Sequence, residues 1–248
     1  MALQASQALA EMAAPMADAV AAPVADAVLD PLAATVPAAP VAVPPLSQRA
    51  IDLITGFEVG SEQAYDRHYR HPVWPRRQSG ITCGIGYDVG YVTPATLAAD
   101  WRGHTSDSNI AALSHVCGTR GAAAAALLNL VADIDIPFAS AMAVFRLTLA
   151  QTTSKTVRAL PNAIKLSGDS LGALVSLVYN RGASFFLPGE RYTEMRHIQG
   201  DIAASHFSLV PARMRSMKRL WQNDPDARGL LTRRELEATL FEAGLAHS

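Results

Sequence analysis

The chain has 248 residues, of which 50% are hydrophobic and 17% are charged, and its formal net charge is −1. This length and hydrophobic share are enough for one good-sized globular domain with a real core. Residues 1 to 48 contain four acidic and no basic residues, which leaves 21 basic against 18 acidic residues in the rest of the chain. The resulting charge of +3 suits an anionic polymer as a partner. The sequence has no basic stripe interleaved with aromatic residues, so it does not indicate nucleic acid binding.

The first 46 residues differ in composition from the rest. A motif of the form APxADAV begins at Ala14 and again at Ala22, and a tract rich in Pro, Ala and Val follows it up to Pro45. Frequent prolines and few large side chains predict an extended, mostly disordered leader over residues 1–46. The leader has neither the basic start of a secretory signal peptide nor an apolar run long enough for a membrane span. We expect it to be a tether or a delivery segment that an export partner recognises, or a passive tail.

The second segment, residues 47–248, begins with a predicted amphipathic helix. Ser47 can cap this helix, and an apolar stripe follows at Ala50, Leu53, Ile54 and Phe57. Glu58 lies beside this stripe. A carboxylic acid at the edge of a buried face is partly desolvated and can stay protonated long enough to act as a general acid. Taken alone, a glutamate at this position is more often a solvated helix residue, and the combination with the hairpin described next favours the acid.

A glycine-rich strand pattern follows at residues 81–88. The alternation places Ile81, Cys83, Ile85 and Tyr87 on one face, and Thr82, Gly84, Gly86 and Asp88 on the other. A continuous strand would separate Thr82 from Asp88 by roughly 20 Å, which is too far for both to contact one bond of a substrate. Gly84 and Gly86 permit a tight hairpin that returns Asp88 to the side of Thr82. The alternative is a structural hairpin in which Asp88 only caps a turn.

Together, Phe57-Glu58 and the run from Gly80 to Tyr87 resemble the phage-type lysozymes, which are muramidases. The step from Thr82 to Asp88 is more similar to the pesticin branch of that family. The resemblance implies that Glu58 is the general acid, that Asp88 is the second carboxylate, and that Thr82 positions the attacking water. It covers residues 48 to 246, with looser similarity to the family's central and final helices after the hairpin.

Two features depart from the phage pattern. Ordinary phage enzymes carry their aspartate at the position of Arg67 here, so the neighbouring Asp66 is the rival second carboxylate. The insert from Tyr69 to Ser79, which contains Trp74, is longer than the simple hairpin needs. We interpret it as an added rim of the cleft or as a surface loop.

From residue 93 onward the pattern is helical. Thr93-Pro94 predicts the start of one helix and Thr232 to Glu235 a capping box for the last, with apolar-periodic segments near 107–117, 119–132, 138–158, 170–182, 190–200 and 203–219. The predicted fold class is α+β, mostly α. It is lysozyme-like, with a small β-hairpin lobe on a helical body and the active cleft between them. The basic run from Arg213 to Arg219 predicts a solvated helix face or, next to Trp221, a rim for glycan.

The predicted substrate-binding residues lie in two places. Tyr87 can stack on a sugar ring or pack in the core, and Asn180 and Arg181 precede a predicted Gly182 helix cap and by resemblance face the cleft. The histidines and the two cysteines do not have metal-ligand spacing, so we expect no metal and no cofactor.

The predicted function is hydrolysis of the N-acetylmuramic acid to N-acetylglucosamine bond of peptidoglycan by an endo-acting, monomeric muramidase. The alternatives are a lytic transglycosylase, which needs only the acid, and an inactive peptidoglycan-binding module. Since the sequence shows no signal peptide, we expect the protein to be made in the cytoplasm and to act on the cell wall after release or dedicated export.

Overall fold

A computed structural model describes residues 43–76 and 78–246. These residues are mostly α-helical and include one small antiparallel sheet of two strands. The predicted class, α+β and mostly α, is thereby confirmed. The predicted leader lies outside the described residues, except for residues 43–46. Within the described ranges, no helix is both long and apolar enough to cross a membrane.

The first helix, α1 (Gln48–Val59), starts where the sequence predicts. The Ser47 hydroxyl accepts a hydrogen bond from the Ala50 amide at 3.1 Å, which satisfies one of the free N–H groups of the first turn. Ala50 and Ile54 of the predicted stripe are fully buried. The helix ends before Gly60, whose φ of 75° turns the chain away.

A short second helix, α2 (Glu62–His68), is capped by Ser61 and leads into the insert. The insert returns to the hairpin, which consists of strands β1 (Thr82–Cys83) and β2 (Tyr87–Asp88), and pairs with β1. Val73 and Thr82 exchange two backbone hydrogen bonds, of 2.8 and 2.9 Å. The Trp74 indole donates to the Ser79 carbonyl at 3.1 Å. The insert is therefore hydrogen-bonded to the hairpin through Val73 and closed on itself by the Trp74 bond.

The remaining α-helices of the described residues are α3 (Pro94–Trp101), α4 (Asp107–Ser114), α5 (Gly121–Leu127), α6 (Phe138–Ala159), α7 (Gly168–Arg181), α8 (Thr193–Ala203), α9 (Val210–Ser216) and α10 (Arg228–Leu245). The Thr93 cap and the Gly182 cap are both confirmed. The predicted capping box at Thr232 is wrong, because α10 already begins at Arg228. The Thr232 hydroxyl donates instead to the Arg228 carbonyl, one turn back in the same helix.

The described chain divides into two compact units. One comprises residues 43–54 and 149–246, and the other comprises residues 55–148. We call the first the helical unit and the second the hairpin unit. The core of the hairpin unit contains the fully buried side chains of Tyr65, Trp101 and Leu113. The helical unit has α7 at its centre, where every residue from Asp169 to Val178 is buried.

The predicted basic helix face is built into an ion-pair network of the helical unit. Arg215 pairs with Glu235 at 2.7 Å and with Glu242 at 2.5 Å, and Lys218 also pairs with Glu235. These contacts join α9 and the turn after it to α10. Arg213 and Arg219 pair with acidic side chains of the segment 190–203. The positive charges of this face are therefore neutralised within the unit, which does not favour a glycan rim.

Candidate active site in the hairpin unit

The hairpin places Thr82 directly opposite Asp88. The two residues are Cα partners across the β1–β2 pair, as are Cys83 and Tyr87. Side chains that face each other in this way lie on the same side of a sheet, with about 5 Å between their Cβ atoms. The bend has φ values of 60° at Gly84 and 69° at Gly86, which glycine adopts at little cost. The predicted bend at these glycines is confirmed.

The carboxylate of Asp88 is held by backbone amides at both oxygens. Oδ1 accepts from Gly90 N at 2.8 Å, and Oδ2 accepts from Gly80 N at 3.1 Å. A side chain at Gly80 would collide with this carboxylate, since an added Cβ would lie 2.4 Å from Oδ1. Asp88 thus caps the short 3-10 turn Val89–Tyr91, which is the capping role that the sequence left open. The same bonds hold its carboxylate in one orientation on the strand that pairs with Thr82.

The electrostatic surroundings of Asp88 act in opposite directions on its pKa. Burial of the carboxyl raises the pKa above its ordinary value, and this is the largest effect. The two amide hydrogen bonds and the positive charge of Arg120 act to lower it. A half-buried carboxylate of this kind is suited to accept a proton during a reaction.

The hydroxyl of Thr82 is a buried polar group without a partner. Thr82 is only 8% exposed, and its Oγ1 has no hydrogen-bond partner among the described residues. Such a group costs about 1–3 kcal/mol when it stays unpaired. A hydroxyl can donate one hydrogen bond and accept two, so Thr82 Oγ1 keeps unused hydrogen-bonding capacity on the face of the hairpin that carries Asp88.

Glu58 lies in the last turn of α1 and is half-buried, within the same unit as Thr82 and Asp88. Tyr69, at the end of α2, lies within electrostatic range of it. Burial raises the pKa of the Tyr69 phenol, and the negative charge of Glu58 raises it further. Tyr69 begins the insert whose Val73 pairs with Thr82, so the insert connects the surroundings of Glu58 to the hairpin.

The rival carboxylate, Asp66, has a different environment. It is exposed on α2 and forms an ion pair with Arg70 at 3.4 Å. Arg70 also pairs with Asp135, so Asp66 belongs to a surface charge network. Among the residues that the structure describes, no hydrogen bond joins Asp66 to the hairpin. These contacts favour Asp88 over Asp66 as the second carboxylate.

The side chain of Tyr87 is engaged within the fold. It is 8% exposed, its ring packs edge-on against Trp101 with centroids 5.6 Å apart, and its hydroxyl donates to Asp100 at 2.8 Å. Burial raises the pKa of this phenol, and the bond to Asp100 adds to the effect. These contacts favour a role for Tyr87 in supporting the hairpin, which is the packed-core alternative of the sequence interpretation.

Asn180 and Arg181 belong to the helical unit. Asn180 Oδ1 accepts from Arg234 Nη2 at 3.2 Å. The Arg181 guanidinium donates to the Arg191 carbonyl at 3.0 Å and lies 5.2 Å from the ring centroid of Trp221. A buried charge cluster continues from there, in which Arg233 and Arg234 both pair with Glu237. Burial lowers the pKa of Arg234 to about 10. The substrate-binding role of Asn180 and Arg181 stays a prediction.

The sequence interpretation missed two residues, Tyr69 near Glu58 and Arg120 near Asp88. Neither has a local signal in the sequence, because each comes close to its carboxylate only through folding. The described residues contain no group of three histidine, cysteine, aspartate or glutamate side chains placed to hold a metal ion.

The chain matches no model of a known protein family and no curated protein. The family resemblance therefore depends on the motifs around Glu58, Thr82 and Asp88 themselves.

Proposed function

We propose that the protein is a peptidoglycan hydrolase of the lysozyme type, an endo-N-acetylmuramidase. The observation that carries this proposal is the buried Thr82 hydroxyl without a partner, placed opposite a fixed carboxylate. Hydrolysis of a glycosidic bond with inversion needs an acid on one side of the bond and, on the other side, a carboxylate that activates a held water. A lysozyme-like fold is part of the same proposal. The bend of the hairpin at Gly84 and Gly86 supports it.

In this mechanism Glu58 donates its proton to the glycosidic oxygen as the bond to the anomeric carbon breaks. A water that is hydrogen-bonded to Thr82 attacks the anomeric carbon, and Asp88 takes up its proton. The two amides on Asp88 keep its carboxylate in one orientation throughout. Asp88 must be ionised at the start, so activity should fall in acid as this carboxylate becomes protonated.

The test is the Glu58→Gln variant, which removes the proton donor and keeps the shape of the side chain. Activity on purified peptidoglycan should fall by about 10²–10⁴-fold, the range typical of general acid catalysis. Glu62→Gln is the matched control, because Glu62 is an exposed glutamate in the first turn of α2. Its activity should equal that of the unmodified protein. Near-normal activity of Glu58→Gln would refute the proposal.

The same assay distinguishes the second carboxylate and the reaction type. Asp88→Asn should abolish hydrolysis, whereas Asp66→Asn should keep most of it. Mass spectrometry of the products should show reducing ends. Products with 1,6-anhydro ends would indicate a lytic transglycosylase, and intact glycan would indicate a binding module.

A further inference from the structure

Arg120 is an exposed arginine fixed at the end of the hairpin. Its Cζ lies 5.0 Å from the ring centroid of Tyr91. A Cβ added to Gly90 would lie 2.8 Å from Arg120 Cγ, so the aliphatic part of Arg120 rests on Gly90. Gly90 N is the same amide that binds Asp88 Oδ1. The Arg120 side chain thus lies against the backbone that holds Asp88.

The chain on both sides of Arg120 is tied to the hairpin by backbone hydrogen bonds. Gly118 N donates to the Val89 carbonyl at 3.1 Å, and Gly121 N donates to the Ser79 carbonyl at 2.9 Å. These bonds fix the position of the Arg120 backbone relative to Asp88. Arg120 is therefore part of the hairpin surface, although it is distant from Asp88 in the sequence.

The guanidinium of Arg120 is available to a ligand. Within the described part of the chain it forms no ion pair or hydrogen bond, whereas Arg70 in the same unit is paired with two aspartates. Tyr91 beneath it is 37% exposed. The planar guanidinium fork matches a carboxylate with two parallel hydrogen bonds, and stacking on an aromatic ring orients it.

We propose that Arg120, supported by Tyr91, binds a carboxylate of the substrate beside Asp88. This inference rests on the proposed function, and it assigns to Arg120 the recognition of the acidic substituents of that glycan. The peptide stems on the lactyl groups of peptidoglycan carry such carboxylates, whereas a plain N-acetylglucosamine polymer carries none. The positive charge of Arg120 also lowers the pKa of Asp88, which is consistent with a short separation between the two groups.

The experiment measures binding without cleavage. The full chain with Glu58→Gln is titrated calorimetrically with soluble peptidoglycan strands, and with the same strands after their carboxylates have been converted to methylamides. Adding Arg120→Ala should weaken binding of the acidic strands about tenfold or more and leave binding of the methylamide strands unchanged. Arg120→Gln, which keeps most of the aliphatic stem over Gly90, should behave in the same way.

Arg146→Ala is the control, since Arg146 is an exposed arginine of α6 within the hairpin unit. It should change binding of neither ligand. Equal weakening for both ligands, no weakening at all, or no binding of either ligand would each overturn the inference. The lytic assay with Glu58→Gln tests the proposed function separately, because the calorimetric readout does not depend on cleavage.

Discussion

The Thr82 side chain is where the requirements of stability and those of the proposed reaction oppose each other. Its hydroxyl is buried without a partner, which costs folding free energy. A valine of nearly the same shape would fill the position without that cost, and valine favours strands. The presence of threonine here is consistent with a hydroxyl that serves the reaction and not the fold.

We therefore expect Thr82→Val to separate the two properties. The free energy of unfolding should stay the same or rise, because a buried polar group without a partner is removed. Activity should fall by about 10²-fold or more, the loss expected when a reacting group is misplaced. Chemical denaturation and a peptidoglycan turnover assay measure the two effects.

Thr82→Ser is the control for this variant, because it retains the hydroxyl and loses only a methyl group. It should keep most of the activity. If Thr82→Val were as active as the unmodified protein, the Thr82 hydroxyl would have no part in holding water.

At the residue scale, the sequence predicted what depends on neighbours in the chain. The spacing of glycines around Thr82 and Asp88 was enough to predict that these two side chains come together. The hydrogen bond from Tyr87 to Asp100 and the stacking of Arg120 on Tyr91 each join two different segments of the chain. The periodicity of a single segment therefore cannot predict them. For Tyr87 the alternation pattern indicated an inward face but could not tell a core partner from a sugar.

At the scale of elements, the hairpin depends on a close approach to a helix. Gly84 has a φ of 60°, and a Cβ added there would lie 3.0 Å from Cη2 of Trp101. This tryptophan is the last residue of α3 and is fully buried. The bend that brings Asp88 beside Thr82 thus packs against a large, fully buried side chain.

Gly84→Ala should therefore lower the free energy of unfolding by more than the cost of the backbone conformation alone. An alanine with positive φ costs about 1–2 kcal/mol, and the contact with Trp101 adds to this. Gly103→Ala is the matched control, since Gly103 has a φ of 80° with open space around it. This variant should lower the free energy of unfolding only by the cost of placing an alanine at positive φ.

The two variants should also differ in activity. Gly84→Ala displaces the hairpin and should reduce peptidoglycan hydrolysis, whereas Gly103→Ala should not. Equal destabilisation and equal activity of the two variants, measured by denaturation and turnover, would show that Trp101 does not constrain the bend.

Two helix starts, at Ser47 and Thr93, were predicted from a single capping side chain, whereas the Ser61 cap of α2 was not predicted. Ser47 and Thr93 accept hydrogen bonds from amides of the first turn, and Gly182 turns the chain with a φ of 71°. The helix start predicted at Thr232 was wrong, because the chain is already helical from Arg228 and the Thr232 hydroxyl donates to the Arg228 carbonyl. A capping motif does not exclude a helix that continues through it.

At the scale of the whole molecule, the three proposed catalytic residues belong to the hairpin unit, and the densest ion pairing belongs to the helical unit. The net charge of residues 49–248 predicted a cationic surface. It could not predict that Arg215 and Lys218 would be paired with Glu235 and Glu242, because charge composition says nothing about which charges become neighbours.

The ion pairs of the helical unit predict a pH-dependent stability. Lys218 and then Arg215 lower the pKa of Glu235, and Arg215 lowers the pKa of Glu242. A carboxylate whose pKa is lower in the folded state stabilises the fold above its unfolded pKa, near 4.3 for glutamate. That contribution is lost as the pH falls through the folded pKa.

The variant Glu235→Gln with Glu242→Gln should therefore melt below the unmodified protein at pH 7 and close to it at a pH near 3. Both carboxylates are more than a third exposed, so solvent screens the pairs and the loss should be roughly 1–4 °C. Adding about 1 M salt at pH 7 should shrink the difference, since the Debye length then falls to about 3 Å. Glu190→Gln removes an ion pair to Arg219 whose glutamate is 87% exposed, and it should leave the melting temperature unchanged. A calorimetric difference that persists undiminished at pH 3 would mean that these glutamates stabilise the unit by packing and not by charge.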